Sequence, residues 1–152
     1  MGKFLLTIDA SSLVAQISSL INSGHQLKFY LSQESIKYSP IRYLIELHRD
    51  KVIGTIGLEQ RSPRVTELKH LCVHPDYRRQ GIGLKLLERG AKASLTEFVF
   101  GVVRSDNLVN IRNNLRMGMV PIGKKSKRSY SIIIFAGRKD GDTFYKRGYQ
   151  RC

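Results

Sequence analysis

One stretch constrains the fold more than any other: Glu67 to Ser94, reading ELKHLCVHPDYRRQGIGLKLLERGAKAS. A short apolar run from Leu68 to Val73 meets a turn at Pro75-Asp76. After Arg78-Arg79-Gln80-Gly81-Ile82-Gly83, apolar residues recur at helical spacing. The pattern predicts strand, loop, helix. Glycines at a helix mouth leave the first-turn N–H groups unshielded, and those groups are unpaired and sit at the positive end of the helix dipole. Phosphate fits such a place. The spacing Arg-x-x-Gly-x-Gly is not the longer dinucleotide fingerprint, and no Gly-Lys-Ser/Thr follows to make a nucleotide P-loop.

With VHPDYRRQGIGLKLLE in that position, the stretch resembles motif A of the GNAT superfamily, the acyl-coenzyme A dependent N-acetyltransferases. The resemblance implies that Arg78, Arg79, Gln80, Gly81, Ile82, Gly83 and Leu84 lie at the coenzyme A pyrophosphate. It places the backbones of Leu71, Cys72 and Val73 along the pantetheine arm, with the Val73 amide facing the thioester carbonyl. Asn107, opening a later helix, would hydrogen-bond the coenzyme, and acetyl-CoA would be the cosubstrate. The implied fold is α/β (α+β): a mixed, mostly antiparallel sheet of six to seven strands, helices on both faces, and a splayed strand pair at the coenzyme site. The likeness runs over roughly residues 41–137 and is densest from 67 to 119.

The rest of the chain reads consistently with that order. Lys3 to Ile8 suits a first strand. Asp9 to Ser12 offers caps for a helix carrying Leu13, Val14, Ile17, Leu20 and Ile21, which Asn22-Ser23-Gly24 ends. Residues 25–40 are ambiguous, and Leu27, Tyr30 and Leu31 would make one face of a second helix. Arg42–His48 and Val52–Leu58 form a hairpin, a turn follows at residues 61–64, and the motif strand runs from Val65 to Val73. Phe98 to Val103 is continuous enough for a strand buried on both faces. Asp106 or Asn107 caps a helix with Leu108, Ile111, Leu115 and Met117 inward and Gly118 as its C-cap. Strands over about 119–124 and 130–137 complete the sheet. One domain over 1–152 suffices, with a basic extension at about 138–152.

Charge is the other informative feature. The formal net charge is +14, and after residue 100 there are 12 Lys and Arg against 3 Asp and Glu. Such a balance suits a polyanion: nucleic acid, ribosome, an anionic surface or an acidic substrate. It also suits solubility, and coenzyme A is itself a polyanion. No apolar run approaches the length of a membrane span, and the opening residues lack a secretory pattern, so a cytoplasmic location is expected. Cys72 and Cys152 lack metal-ligand spacing, and no metal is expected. The sequence leaves oligomeric state and acceptor open.

Direct acetylation of an amine needs a base, because an ordinary amine is protonated near neutral pH. Glu67 is the candidate: it precedes Arg78 by eleven residues, the spacing at which the histone-acetylating branch of the family has its catalytic glutamate. His70 is the runner-up, three residues on and so on the opposite face unless a bulge intervenes. His74, before Pro75, reads as a loop residue. Where many relatives place a tyrosine as general acid, this chain has Asn114, which leaves Tyr130, Tyr145 or water for that role. A second reading keeps the fold but directs it to nucleic acid, as a modifying enzyme or a binding module.

Overall fold

The computed structural model describes residues 10–24, 27, 29–140 and 143–144. In chain order they form α1 (Ala10–Ser23), α2 (Gln33–Tyr38), β1 (Arg42–His48), β2 (Lys51–Ser62) and β3 (Val65–Val73), then a 3-10 turn at Pro75–Tyr77. There follow α3 (Ile82–Ala93), β4 (Phe98–Arg104), α4 (Leu108–Met117), β5 (Val120–Ser126), β6 (Ser131–Asp140) and β7 (Thr143–Phe144). The strands make one mixed sheet in the order β1-β2-β3-β4-β6-β5, with β7 added to β6. Every pairing is antiparallel except β3 with β4. This is the expected α+β class.

Strand alternation divides the apolar residues between two faces. Leu44, Ile56, Leu58, Leu68, Val99, Val103 and Phe135 meet Leu86, Leu87 and Ala91 of α3 and Met117 of α4. On the other face Tyr43, Ile45, Leu47 and Cys72 meet Ile17, Leu20 and Ile21 of α1 and Ile36 of α2. Burying each large aliphatic side chain contributes about 1.5–3 kcal/mol, so the first cluster, with Ile56, Leu86, Val99 and Met117 sealed completely, anchors β3 and α3. Beneath that helix Thr66 and Thr96 share a 2.7 Å hydroxyl bond, and Thr96 donates to Phe98 O at 2.8 Å.

Several expectations shift. The predicted strand at Lys3–Ile8 lies outside the described residues, as does most of the basic extension. The second helix begins at Gln33, after the Ser32 side chain that caps it, so Tyr30 is exposed while Leu27 and Leu31 pack against α1's cluster. β2 continues past Leu58 to Ser62. β4 is buried on one face only: Val99 and Val103 are sealed, whereas Val102 on the other is exposed. In α4, Leu108 and Leu115 are also exposed, because the inward stripe is Asn110, Ile111, Asn114 and Met117. The sealed residues of that stripe are Asn114 and Met117, neither of them a leucine.

Candidate active site

The parallel pair β3–β4 is joined only from Val65 opposite Phe98 to Leu68 opposite Gly101. Beyond that point the two strands run on to Val73 and Arg104 without pairing. They splay apart, and a crevice opens between Lys69, His70 and Leu71 on one side and Val102 and Val103 on the other, floored by Asn110 and Asn114 of α4. The edge of β3 facing this crevice carries free backbone groups. His74 N–H donates to Ile53 O at 2.7 Å, so the adjacent Val73–Gly54 pair is a non-hydrogen-bonded one, and Val73's N–H and C=O turn to the open edge. The Nε of Arg78 donates to that carbonyl at 3.2 Å, which leaves the amide.

At the crevice mouth stands the N-terminus of α3. Its N-cap is Gly81, in the left-handed region at φ +77°, with no side-chain cap on the first-turn amides. A Cβ on Gly81 would meet no atom within 4 Å. Only the backbone conformation, not space, demands glycine there. Gly83 is different: a Cβ there would lie 3.0 Å from Asn113 Nδ2. Arg78, Arg79 and Gln80 are exposed at this mouth, Arg79 also with positive φ, while Ile82 and Leu84 pack on the core. Uncapped amides, the positive end of a helix dipole and two exposed guanidiniums together favour an anion in front of α3.

β3 carries an irregularity at its centre. Thr55 faces Cys72 and Gly57 faces Lys69, so His70 and Leu71 together lie opposite the single Ile56. Leu71 joins the α3 core, and His70, at φ +56°, turns to the face that already holds Glu67 and Lys69. A bulge therefore does intervene, and Glu67 and His70 share one side of the sheet.

On that side Glu67 is 13% exposed, 3.5 Å from Arg61 Nε and 3.7 Å from Lys69 Nζ, and its sealed Oε2 has no hydrogen-bond partner among the described residues. Glu59, directly across in β2, takes the closer bonds, 3.0 Å from both Arg61 and Lys69. The Lys69 hydrogen bond is the main reason its carboxyl is held below the usual range. Tyr43 of β1 reaches across β2 to His70, with Oη 2.7 Å from Nδ1 and the rings stacked at 5.9 Å. Gly57 makes that reach feasible: a Cβ there would lie 3.2 Å from Tyr43 Cε1 and 2.7 Å from Ile41 Cγ2. Burial, helped by Lys69, lowers the His70 pKa to about 4, and burial raises Tyr43 to about 12. His70 is thus neutral near pH 7 and a weak base.

The remaining candidates are placed as follows. Cys72 donates its thiol to Leu20 O at 3.3 Å, and burial raises its pKa. Asn107 caps α4, its Oδ1 accepting from Asn110 N–H at 3.2 Å. Asn114 donates to Asn110 O at 2.8 Å and Asn110 Oδ1 at 3.0 Å. His74 accepts from Asp76 N–H, a loop role as expected. Tyr130 lies under the Arg104 guanidinium at 4.0 Å, and Tyr145 is outside the described residues. Lys124, Lys125, Lys127 and Arg128 are exposed along β5 and its turn. Tyr43, Glu59, Arg61 and Lys69 were not singled out in the sequence. The one available signal was Gly57, a glycine inside an apolar strand, which marks a close approach.

Among the described residues no group of three His, Cys, Asp or Glu side chains is placed to hold a metal ion, and no helix is long and apolar enough to cross a membrane. Residues 14–119 match the Acetyltransferase (GNAT) family. No curated protein matches the chain. Among solved structures, yncA of Salmonella typhimurium, determined with its cofactor acetyl-CoA, is 16% identical over 87% of this chain and 91% of that one, at a TM-score of 0.73. The ribosomal-protein-S18-alanine N-acetyltransferase of Escherichia coli is 16% identical over 91% and 96%, at 0.71. A GNAT family acetyltransferase of Elizabethkingia anophelis with acetyl-CoA bound is 16% identical over 71% and 84%, at 0.58. At such identities the likeness is one of fold.

Proposed function

Because the chain belongs to the GNAT acetyltransferase family, we propose that it transfers an acetyl group from acetyl-CoA to an amine by direct attack within a ternary complex. One observation carries this reading: the unpaired edge of β3 leads straight from the uncapped amides of α3 into the splayed crevice. The first-turn amides after Gly81, with Arg78 and Arg79, hold the pyrophosphate. The open edge of β3 at Leu71 and Val73 lies along the pantetheine, Cys72 between them pairing with Thr55 of β2 instead, and the Val73 N–H polarises the thioester carbonyl. Asn107 is committed to capping its own helix, so its contact with the coenzyme is the weakest of the set.

Bound there, acetyl-CoA supplies an activated acyl carbon. Glu67 lies on the opposite side of the sheet from α3 and α4, the side left for the acceptor. The amine nitrogen forms its bond to the acyl carbon, the C–S bond breaks, and the amine's proton passes to Glu67, directly or through water. Arg61 and Lys69 keep Glu67 in place. Asn114 supplies no proton, since its amide is bonded to Asn110. The sulfur leaves as thiolate and takes a proton from solvent, which a thiol pKa near 8.5 permits.

Calorimetry with acetyl-CoA tests the binding half: saturable heat is expected from the wild-type chain and none from Gly81→Val, whose folding is checked by circular dichroism. Thiol release in the presence of a panel of amines tests the transfer. Binding unaffected by Gly81→Val, or no thiol released with any amine, would overturn the proposal.

A further inference from the structure

We infer that His70 is a neutral hydrogen-bond donor to the negative charge that builds on the thioester, with Tyr43 as the positioning residue that fixes its tautomer. This rests on the acetyl-transfer reading above and adds to the Val73 amide a side-chain donor, which Asn114, bonded to Asn110, does not supply. Three features on three strands converge on it. The bulge in β3 brings His70 out of the core face to the wall of the crevice. Gly57 in β2 clears the path for the Tyr43 ring from β1. Tyr43 Oη then meets His70 Nδ1 at 2.7 Å.

The direction of that bond follows from satisfying both groups. A phenol has one proton to give, and the acceptor offered to Tyr43 among the described residues is Nδ1. If Nδ1 carried the proton instead, the half-buried phenol would have no protein acceptor among the described residues. The Tyr43 O–H therefore donates to Nδ1, and the proton of the neutral ring sits on Nε2. The nitrogen not engaged by Tyr43 is the one left to the crevice, and there it is a donor. An imidazole in this state cannot take the amine's proton. It can stabilise charge without changing its own protonation, as an oxyanion-hole group does. Glu67 and His70, on one face because of the bulge, then divide the work: a carboxylate for the amine and an N–H for the thioester.

Nitrogen-15 NMR of imidazole-labelled protein reads the tautomer without any acceptor. The wild-type chain should show His70 as the Nε2–H form from about pH 7.5 down to about pH 5, and Tyr43→Phe should show a mixture of tautomers. Saturation with acetyl-CoA should move the Nε2–H proton resonance downfield. In turnover with any productive amine, H70A should lower kcat by about 10²-fold with little change in KM for acetyl-CoA. H70Q, whose amide places an N–H near the same position, should recover most of that loss. An Nδ1–H tautomer, a ring that titrates near its ordinary value, or no response to bound acetyl-CoA would refute the assignment. Absence of any acetyl-CoA binding in the wild-type chain would instead refute the acetyl-transfer reading, and leave the tautomer measurement standing as a test of the pair.

Discussion

Replacing His70 by glutamine should flatten the acid limb of the stability curve. The folded protein binds the His70 proton only below about pH 4, whereas the unfolded chain binds it below the ordinary histidine value of 6.5. Between those values unfolding takes up a proton, so lowering the pH favours the unfolded state; the contribution is fully present above 6.5 and lost by about 4. If fully expressed, that displacement is worth about 3.4 kcal/mol. The ring is only partly buried and faces Lys69, Glu59 and Tyr43, so solvent screening cuts it to about 2 kcal/mol. Glutamine stays neutral throughout. Urea unfolding of both proteins at about pH 7.5 and about pH 4.5 isolates the effect, because the other titrating groups are common to the pair. The stability difference between wild type and H70Q should move by about 2 kcal/mol in favour of the variant at the acid end. Parallel curves would show that burial does not hold the ring neutral.

Gly57→Ala should cost about 1–3 kcal/mol by overpacking, since its Cβ would press on Ile41 and Tyr43, and should also loosen the Tyr43–His70 bond; denaturation and the His70 tautomer measure the two effects. Asn107→Ala removes the cap of α4 and should destabilise by about 1 kcal/mol, while acetyl-CoA affinity, read by calorimetry, changes little.

Much of this fold could be read in the chain because its signals are local. Gly118, at φ +93°, ends α4 where the pattern put it, and Arg49-Asp50 turns the hairpin where alternation stops and restarts. The crevice was legible only through resemblance, since nothing in Leu68 to Val73 states that the strand parts from its neighbour. The bulge was not legible at all. One extra residue leaves composition and hydropathy unchanged, and what decides it is the packing of Leu71 against the α3 core in place of His70. The exposure of Leu108 and Leu115 escaped for a related reason. α4 turns Asn110 and Asn114 toward the crevice, so polar residues occupy positions that periodicity alone gives to leucine.

The irregularity in β3 has a wider consequence for how this scaffold can change. Up to Lys69 the odd-numbered positions look toward α1; from His70 the even-numbered ones do, so the strand switches parity midway. A deletion there would exchange the inward and outward residues of everything between it and the helix mouth, which no single side-chain replacement does. Sequence drift on the acceptor side can therefore proceed by substitution, residue by residue, while any change of length at this point is forbidden unless the whole downstream grip is rebuilt.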